Sequence, residues 1–286
     1  MRILTICGIG DIHWVMLKME SFIEKECKGV IPEITVWNFD GRPRADGFVK
    51  RIPFVKFAGY DNEPMGRQQK RLFHEVYMDG SKEVVAGFKG YDYFICVNGS
   101  LRIGHSMNNI MPQYGTNWNY KINVDDCTSS YSEPYIIFYF SNHGMFTDWV
   151  FKMNSEKIRS FMQQIKGYKL ILTGSSWDAP FNQELEDNGV INLCGKTSLD
   201  DLFGLIKGAS AFVGWCGGNT IVSQHLNTPT LMLWSDYFSH RAFQTNWVDP
   251  DRLGKVYIPM DIETANNDSL LRNLGVLLER KATMAS

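Results

Sequence analysis

The stretch VINLCGKTSLDDLFGLIKGASAFVGWCGGNTIVSQHLNTPTLMLWSD, residues 190–236, decides the fold. Three short apolar strands alternate in it with two helical patterns, an order that builds a parallel sheet with helices on its faces. The turns between strand and helix carry Gly, Ser, Thr or Lys, which can present backbone N–H groups to an anion at a helix start. The stretch therefore predicts an α/β unit that holds a phosphorylated ligand.

The same alternation extends along the 286-residue chain, which exceeds the usual size of a single core. RILTIC at the start is typical of a strand, and apolar residues at helical spacing follow in IHWVMLKMESFIEKEC. SLRIGHSMNNIMPQYGTNWNYK, residues 100–121, predicts loops around a cleft. Further elements are expected as strands at 34–39, 93–97, 135–140 and 169–174, and as helices at about 67–88 and 267–281.

These patterns predict the α/β class, with two Rossmann-like, doubly wound lobes that face a central cleft. The N-terminal lobe is expected at residues 1–130 and the C-terminal lobe at 131–265. A last helix, within 266–286, is free to pack back across either lobe.

The composition is that of an ordered globular protein, with 44% hydrophobic and 21% charged residues. No apolar stretch approaches the roughly 18 residues that a membrane span requires, and no signal-peptide pattern opens the chain. The six cysteines form no CxxC pair and are interpreted as reduced thiols. We therefore expect a cytoplasmic protein without a membrane span.

Ligands of open α/β sheets bind at the carboxyl ends of the strands. A lysine at such a turn could meet a diphosphate, and adjacent glycines let a backbone approach a ligand. Simpler interpretations remain: helix capping by Thr197 and Ser198, tight packing at Gly217 and Gly218, and a core position for Trp215. The candidate donor-binding residues are Ser141, Asn142, Gly174, Ser175, Lys196, Thr197, Ser198, Trp215, Gly217, Gly218, Asn219, Asp236, Tyr237, His240 and Arg241.

The candidate catalytic residues lie in the first strand-to-helix turn. Asp11 follows the GIG loop, where a carboxylate could accept a proton from an acceptor hydroxyl. Stabilisation of Asp11 by the helix dipole explains its position equally well. His13 is a second base candidate, or a partly buried imidazole. A lone GxG does not identify a dinucleotide site, so a dehydrogenase is not favoured.

Three segments resemble the heptosyltransferase family of glycosyltransferases, which have the GT-B fold. RILTICGIGD is similar to its opening strand and GD loop, NLCGKTSLDDLFGLIKGASAFVG to its GxTSLxELxxLIxxAxxxVG segment, and HLNTPTLMLW to its LGTPTVxLF strand. The resemblance implies an inverting, metal-independent transfer in which Asp11 is the base and a nucleotide-diphosphate sugar is the co-substrate. It implies no other cofactor, and Asp125 and Asp126 are adjacent rather than a DxD metal pair.

The chain departs from the family at the segment that usually reads NDSGPxH. Here it reads WCGGNTI, so Cys216 and Ile221 occupy the positions where the family has Asp and His. A basic residue that the family has after an earlier strand is matched only loosely, by Lys152. The donated sugar is therefore open, and we predict a hexosyl- or pentosyltransferase.

A basic window suggests a polyanionic acceptor. Residues 41–71 carry eight Lys or Arg and three acids, with aromatic residues between them. The acceptor is expected to be a lipopolysaccharide-core type glycan or a hydroxymethylated DNA base, as in a bacteriophage enzyme of the host cytoplasm. An ordinary solvated loop with its aromatic residues turned inward fits equally well. The candidate acceptor-binding residues are Arg42, Arg44, Arg67, Lys70 and Arg71.

Two other functions also fit this sequence pattern. One is a GT-B-type sugar-nucleotide epimerase, and the other is a non-catalytic nucleotide-sugar binding protein. Replacement of Asp11 discriminates them, because only a transferase would lose sugar transfer while it keeps nucleotide binding.

Overall fold

The computed structural model describes residues 1–6, 8–38, 45–62, 90–95, 111–140, 154–176, 185–186, 189–215, 217–235 and 248–285. These residues divide into two compact units, one up to Val124 and one from Asp125 onward. Each unit is built on a parallel sheet with helices in the connections between strands. The predicted α/β class is therefore confirmed.

The first unit has the strand order β3-β2-β1-β4, and every neighbouring pair is parallel. The predicted first helix is confirmed: it starts three residues after β1 and buries Ile12, Trp14, Met16 and Phe22. The strands are β1 (Arg2–Ile6), β2 (Glu33–Trp37), β3 (Lys56–Asp61) and β4 (Tyr93–Phe94), and the helices are α1 (Ile9–Glu26) and α2 (Asp46–Val49). The helix expected at 67–88 lies outside the described residues.

Strand β3 was not predicted, because KFAGYD was interpreted as part of the basic window. Its pairing with β2 shifts register between Ile34 and Thr35, and Gly59 has a φ of +132°. A register shift of this kind breaks the strict alternation by which a strand is recognised from sequence.

The second unit has the strand order β10-β9-β8-β5-β6-β7, again parallel throughout. Strands β8 and β9 are buried at every position, as expected of a parallel sheet covered on both faces. The strands are β5 (Tyr135–Tyr139), β6 (Lys169–Leu172), β7 (Ile191–Asn192), β8 (Ala211–Trp215), β9 (Thr230–Trp234) and β10 (Tyr257–Asp261). The helices are α3 (Ser155–Gln164), α4 (Leu199–Gly208), α5 (Gly218–His225) and α6 (Asn267–Ala285).

The chain reverses its direction of progress across this sheet at β5. It first moves outward through β6 to β7, and it then crosses back to β8 and continues to β10. The carboxyl ends of β5 and β8 therefore form the topological switch point, where open α/β sheets bind ligands.

The units divide between Val124 and Asp125, whereas the sequence analysis placed the boundary after residue 130. Residues just beyond the division pack on α4. A Cβ at Gly204 would lie 2.8 Å from the carbonyl carbon of Thr128, and one at Gly208 would lie 3.0 Å from Cβ of Ser129. The last helix, α6, packs on α3, β8, β9 and β10 of the second unit.

Candidate active site

Asp11 lies in the first turn of α1, at the carboxyl end of β1, and its side chain is half-buried. The helix begins after Gly8, which contributes no side-chain cap, so the carboxylate stands where the helix dipole favours negative charge. The side chain of Asp11 folds back toward Gly8. A Cβ on residue 8 would lie 3.1 Å from Cγ of Asp11 and would overlap the carboxylate. Glycine at position 8 therefore makes room for this carboxylate.

His13 is turned into the interior of the first unit. Its side chain is 3% exposed, and Nδ1 lies 2.6 Å from the hydroxyl oxygen of Tyr120. Complete burial raises the pKa of the Tyr120 hydroxyl well above its usual value, so this hydroxyl is neutral at any physiological pH. The contact anchors the first turns of α1, and the catalytic role predicted for His13 stays a prediction.

Residues 111–124, here called the α1 brace, hold α1 along its length. The Lys18 ammonium, 2% exposed, donates to the carbonyl of Tyr114 at 2.9 Å. Burial lowers the pKa of Lys18. The Tyr114 hydroxyl donates to Glu26 at 2.8 Å, and the N–H of Asn117 donates to the carbonyl of Leu17 at 2.7 Å. The brace therefore fixes the helix that carries Asp11.

In the second unit, helix α5 starts at the switch point with no capping side chain. Its N-cap residue, Gly217, is extended, and its first turn contains no acidic residue. The Thr220 hydroxyl, fully buried, donates to the carbonyl of Trp215 at the end of β8. An uncapped helix N-terminus directs several N–H groups and a partial positive charge outward. This end of α5 is therefore suited to an anion, and Gly218 and Asn219 are its first residues.

Two further turns pack against each other after β6 and β7. The N–H of Gly195 donates to the carbonyl of Gly174 at 2.9 Å. Gly195 has a φ of +69°, and a Cβ on it would lie 2.7 Å from Cα of Ser176. Glycine at position 195 is therefore required by the backbone and by this contact, independently of any ligand. Ser175 lies in the other turn, directly after Gly174.

Helix capping accounts for Ser198. Its hydroxyl accepts from the N–H of Asp201 at 3.1 Å, while its own N–H and hydroxyl donate to the Asp201 carboxylate at 3.0 and 2.6 Å. The hydrogen bond from the Ser198 side chain lowers the pKa of Asp201. This capping box satisfies the start of α4. Thr197 is half-buried beside it, and the exposed Lys196 ammonium donates to the carbonyl of Asn192 at 2.9 Å.

Trp215 is 1% exposed and belongs to the core of the second unit. A side chain so deeply buried presents no face on which a base could stack, so the stacking role predicted for Trp215 does not fit its position. Eleven predicted site residues, and Lys152, lie outside the described residues. They are Ser141, Asn142, Asp236, Tyr237, His240, Arg241, Arg42, Arg44, Arg67, Lys70 and Arg71.

The described cations of the basic window have partners within the first unit. Lys50 pairs with Asp46 at 2.9 Å, and Lys56 pairs with Glu33 at 2.7 Å. The Arg51 guanidinium donates to the carbonyl of Asn123 in the α1 brace at 2.6 Å. Phe48 is fully buried. Phe54, Phe57 and Tyr60 are half-buried, so the aromatic residues are only partly turned inward, and α2 and β3 stand where a solvated loop was the alternative interpretation.

Polar contacts at the ends of β9 and β10 were missed in the sequence analysis. The buried Ser235 hydroxyl donates to the Glu263 carboxylate at 2.5 Å, and the Lys157 ammonium donates to the carbonyl of Ile262 at 2.8 Å. They were missed because YIPMD, the strand β10, was not recognised. Its proline argues against a central strand, but β10 lies at the sheet edge, where proline is tolerated.

The described residues contain neither a metal-binding cluster nor a membrane-spanning helix. No group of three or more His, Cys, Asp or Glu stands where it could hold a metal ion. None of the helices in this part of the chain is long and apolar enough to span a membrane.

Comparison with known structures confirms the predicted GT-B fold. ADP-heptose lipopolysaccharide heptosyltransferase II of E. coli matches with a TM-score of 0.64 and 16% identity, over 99% of this chain and 100% of that one. E. coli heptosyltransferase WaaC with ADP-2-deoxy-2-fluoro heptose matches with a TM-score of 0.59 and 12% identity, over 96% and 99%. A glycosyl transferase family 9 protein of Veillonella parvula matches with a TM-score of 0.60 and 10% identity, over 97% of each chain.

The family follows from the sequence profile of glycosyltransferase family 9 (heptosyltransferase), which matches residues 93–242, just over half of the chain. The chain belongs to this family. No curated protein sequence is detectably similar to the chain. The predicted enzyme class, a glycosyltransferase that uses a nucleotide sugar, is confirmed.

Proposed function

We propose that this enzyme transfers a sugar from a nucleotide-diphosphate donor to an acceptor hydroxyl, with inversion and without a required metal ion. The observation that carries the proposal is the uncapped N-terminus of α5 at the switch point of the second sheet. Its N–H groups would hold the diphosphate, and the charge that develops on this leaving group would be stabilised there.

The turns after β6 and β7 would complete the donor site. Gly174, Ser175 and Thr197 lie at the same sheet edge as the start of α5. Lys196 would exchange its contact with the Asn192 carbonyl for a phosphate oxygen, since an exposed ammonium hydrogen-bonded to a neutral carbonyl is not held strongly. Ser198 is omitted because its hydroxyl is engaged in the capping box.

Asp11 would be the general base. It stands at the carboxyl end of β1, held by a helix that the α1 brace and the His13–Tyr120 contact fix in place. A single carboxylate on a fixed helix suits removal of one proton from an attacking hydroxyl, which is the requirement of a one-step inverting transfer. Backbone N–H groups and Lys196 would supply the positive charge that a metal supplies in other enzymes.

ADP sugars are the first donors to test, because one similar solved structure is that of an ADP-heptose lipopolysaccharide heptosyltransferase and another contains an ADP-linked heptose analogue. The acceptor would be a polyanion, either a phosphorylated glycan or DNA that contains hydroxymethylated bases. The basic contacts to this acceptor would come from Arg42, Arg44, Arg67, Lys70 and Arg71. The exposed ion pairs of Lys50 and Lys56 are weak, so these two ammonium groups would also be able to turn to a phosphate.

A thermal-shift panel of nucleoside diphosphates and nucleotide sugars tests the donor site, since a ligand of the native state raises the melting temperature. Transfer with the best donor is then measured with phosphorylated oligosaccharides and hydroxymethylated DNA, with and without EDTA. We expect full activity in EDTA. Strict dependence on a divalent cation would refute metal independence, and interconversion of the donor without transfer would indicate an epimerase.

Replacement of the proposed base provides the second test. Asp11→Asn should lower transfer at least roughly 100-fold and leave donor affinity unchanged, because the amide cannot accept the proton. Glu24→Gln, an exposed carboxylate on the same helix, is the matched control. Equal turnover of Asp11→Asn and the wild type would remove Asp11 as base.

A further inference from the structure

Two amide side chains stand at the carboxyl edge of the first sheet. Asn38 directly follows the last residue of β2, and Asn62 directly follows the last residue of β3. The three strands β1, β2 and β3 are parallel neighbours, and the ends of β1 and β2 are in register, with Ile6 beside Trp37. The end of β2 therefore lies roughly 5 Å from the end of β1, which leads into the turn that carries Asp11.

The backbone of Asn38 is held in place, but its side chain is not fully satisfied. The backbone N–H donates to the carbonyl of Asp61 at 2.7 Å, which extends the pairing of β2 with β3 by one residue. The side-chain Nδ2 donates to Oδ1 of Asn62 at 2.9 Å. Asn38 is 6% exposed, and its Oδ1 is buried without a hydrogen-bond partner. A buried amide oxygen without a donor is unfavourable for the fold, so it is suited to a donor that a ligand supplies.

Asn62 is the outer member of this amide pair, because it is exposed whereas Asn38 is buried. A part-exposed hydrogen bond between two neutral amides is weak, so the Asn62 side chain can turn away and open the amide of Asn38 to a ligand. The pair then offers oxygens that accept and N–H groups that donate. A hydroxyl group donates and accepts at once, so hydroxyls satisfy the pair whichever way each amide is turned.

A sugar fits this edge better than a DNA base does, because a base also needs a ring on which to stack. Trp37, which precedes Asn38, is 1% exposed and packs edge-on against Phe94, with ring centroids 6.3 Å apart. Tyr60 is directed to the start of α2, where its hydroxyl donates to Asp46 at 2.9 Å. The several hydroxyls of a sugar ring can pair with the two amides without a stacking surface.

We propose that Asn38 and Asn62 bind vicinal hydroxyl groups of the acceptor, and that this acceptor is a glycan. The inference rests on the proposed function, since it adds to the acceptor site of the same transfer reaction. One hydroxyl of the sugar ring meets Asp11 and loses its proton there, and neighbouring hydroxyls of the same ring meet the two amides. The amides bind and orient the acceptor, whereas Asp11 takes the proton.

The first test measures binding on the full chain and needs no transfer. The probe is methyl α-D-mannopyranoside, a neutral sugar with both a cis and a trans vicinal diol. Its effect on the side-chain amide signals of Asn38 and Asn62 is followed by NMR of the isotope-labelled protein. We expect both signals to shift saturably, and the signal of Asn123, an exposed amide of the same unit, to stay unchanged. No shift with the sugar at high millimolar concentration, or a larger shift with hydroxymethylcytosine, would overturn the proposal.

The second test measures transfer to a phosphorylated oligosaccharide. Asn38→Leu and Asn62→Ala should each raise the acceptor KM roughly five- to tenfold, which corresponds to one lost hydrogen bond, and leave the affinity for ADP unchanged. Asn38→Leu should keep or raise the melting temperature, because it removes a buried oxygen that has no partner. Asn123→Ala is the matched control, since the contacts between Asn123 and Arg51 use the backbone of Asn123.

The outcomes separate this inference from the proposed function. An unchanged acceptor KM in both variants, or a lower melting temperature of Asn38→Leu as its only effect, would show that the amides serve the fold, and the inference would be wrong. Absence of transfer by the wild type would count against the proposed function, and the sugar-binding measurement would still decide whether the amide pair binds hydroxyls.

Discussion

The substitution Asn219→Asp separates a ligand-binding helix end from an ordinary one. Asn219 is the second residue of α5, and the first turn of this helix contains no acidic residue and no side-chain cap. An aspartate there should stabilise the empty protein by about 0.3–1 kcal/mol, because it complements the helix dipole. For a chain of this size that corresponds to a rise in melting temperature of roughly 1–3 °C.

The same charge should weaken the binding of a nucleoside diphosphate. Two negative charges on the diphosphate and one on the aspartate, roughly 6 Å apart in a water-like dielectric, repel each other by about 1.4 kcal/mol. This energy is a factor of about ten in the dissociation constant, and a drier site would increase it. The variant should therefore be more stable when empty and bind the diphosphate less tightly.

Calorimetry with ADP and a thermal melt of the unliganded variant measure the two effects. Asn219→Ser, which remains neutral, is the control for loss of the amide, and adenosine is the control for loss of contacts to the nucleoside. Unchanged ADP affinity together with a higher melting temperature would show that the start of α5 is only a helix end, and the proposed diphosphate site would be wrong.

Four further substitutions test the supporting structure. Gly8→Ala should displace the Asp11 carboxylate and lower transfer with little effect on donor affinity, whereas unchanged transfer would contradict the need for glycine there. Gly195→Ala should lower the free energy of unfolding by about 2–4 kcal/mol, through backbone strain and overlap with Ser176. Gly189→Ala is the control and should cost only about 1 kcal/mol, because Gly189 also has a positive φ, +88°, but open space around it. Denaturant unfolding measures both. Thr220→Val should lower the free energy of unfolding by about 1–2 kcal/mol, because the carbonyl of Trp215 loses its hydrogen-bond donor. Thr220→Ser keeps the hydroxyl and should restore this stability. The pKa of the buried Lys18 is lowered, so the unfolded chain binds more protons than the folded one as the pH rises toward 10.5. The free energy of unfolding of the wild type should therefore rise relative to that of Lys18→Met over this range. A constant difference between the two proteins would contradict this.

Much of the fold could be predicted because its signals are local. Short apolar runs and the helical spacing after RILTIC identified β1, α1 and the strands from β5 to β9. Where a local rule was broken, the prediction failed: the register shift and Gly59 concealed β3, and Pro259 concealed β10. Because β10 was not recognised, the contact between Ser235 and Glu263 just beyond it was not predicted.

The candidate site was predicted in part. The capping sequence at Ser198 could be read directly, since its partner Asp201 is three residues away. Burial could not be read in the same way: Trp215 is the last residue of β8, next to the ligand-binding edge of the sheet, yet its side chain is only 1% exposed. The partners of the basic residues were equally hidden, since Arg51 contacts residue 123 and Lys56 contacts residue 33.

The sequence by itself therefore determined the α/β class, the order of most elements, the family and the loops in which to look for chemistry, because these depend on periodicity and on turn residues close together in the chain. Only the tertiary structure decided which side chains serve the fold and which face a ligand. It joined His13 to Tyr120 and Lys18 to Tyr114, pairs about a hundred residues apart, and it placed the amide of Asn38 beside that of Asn62. Such contacts arise from packing between distant segments, and no local pattern encodes them.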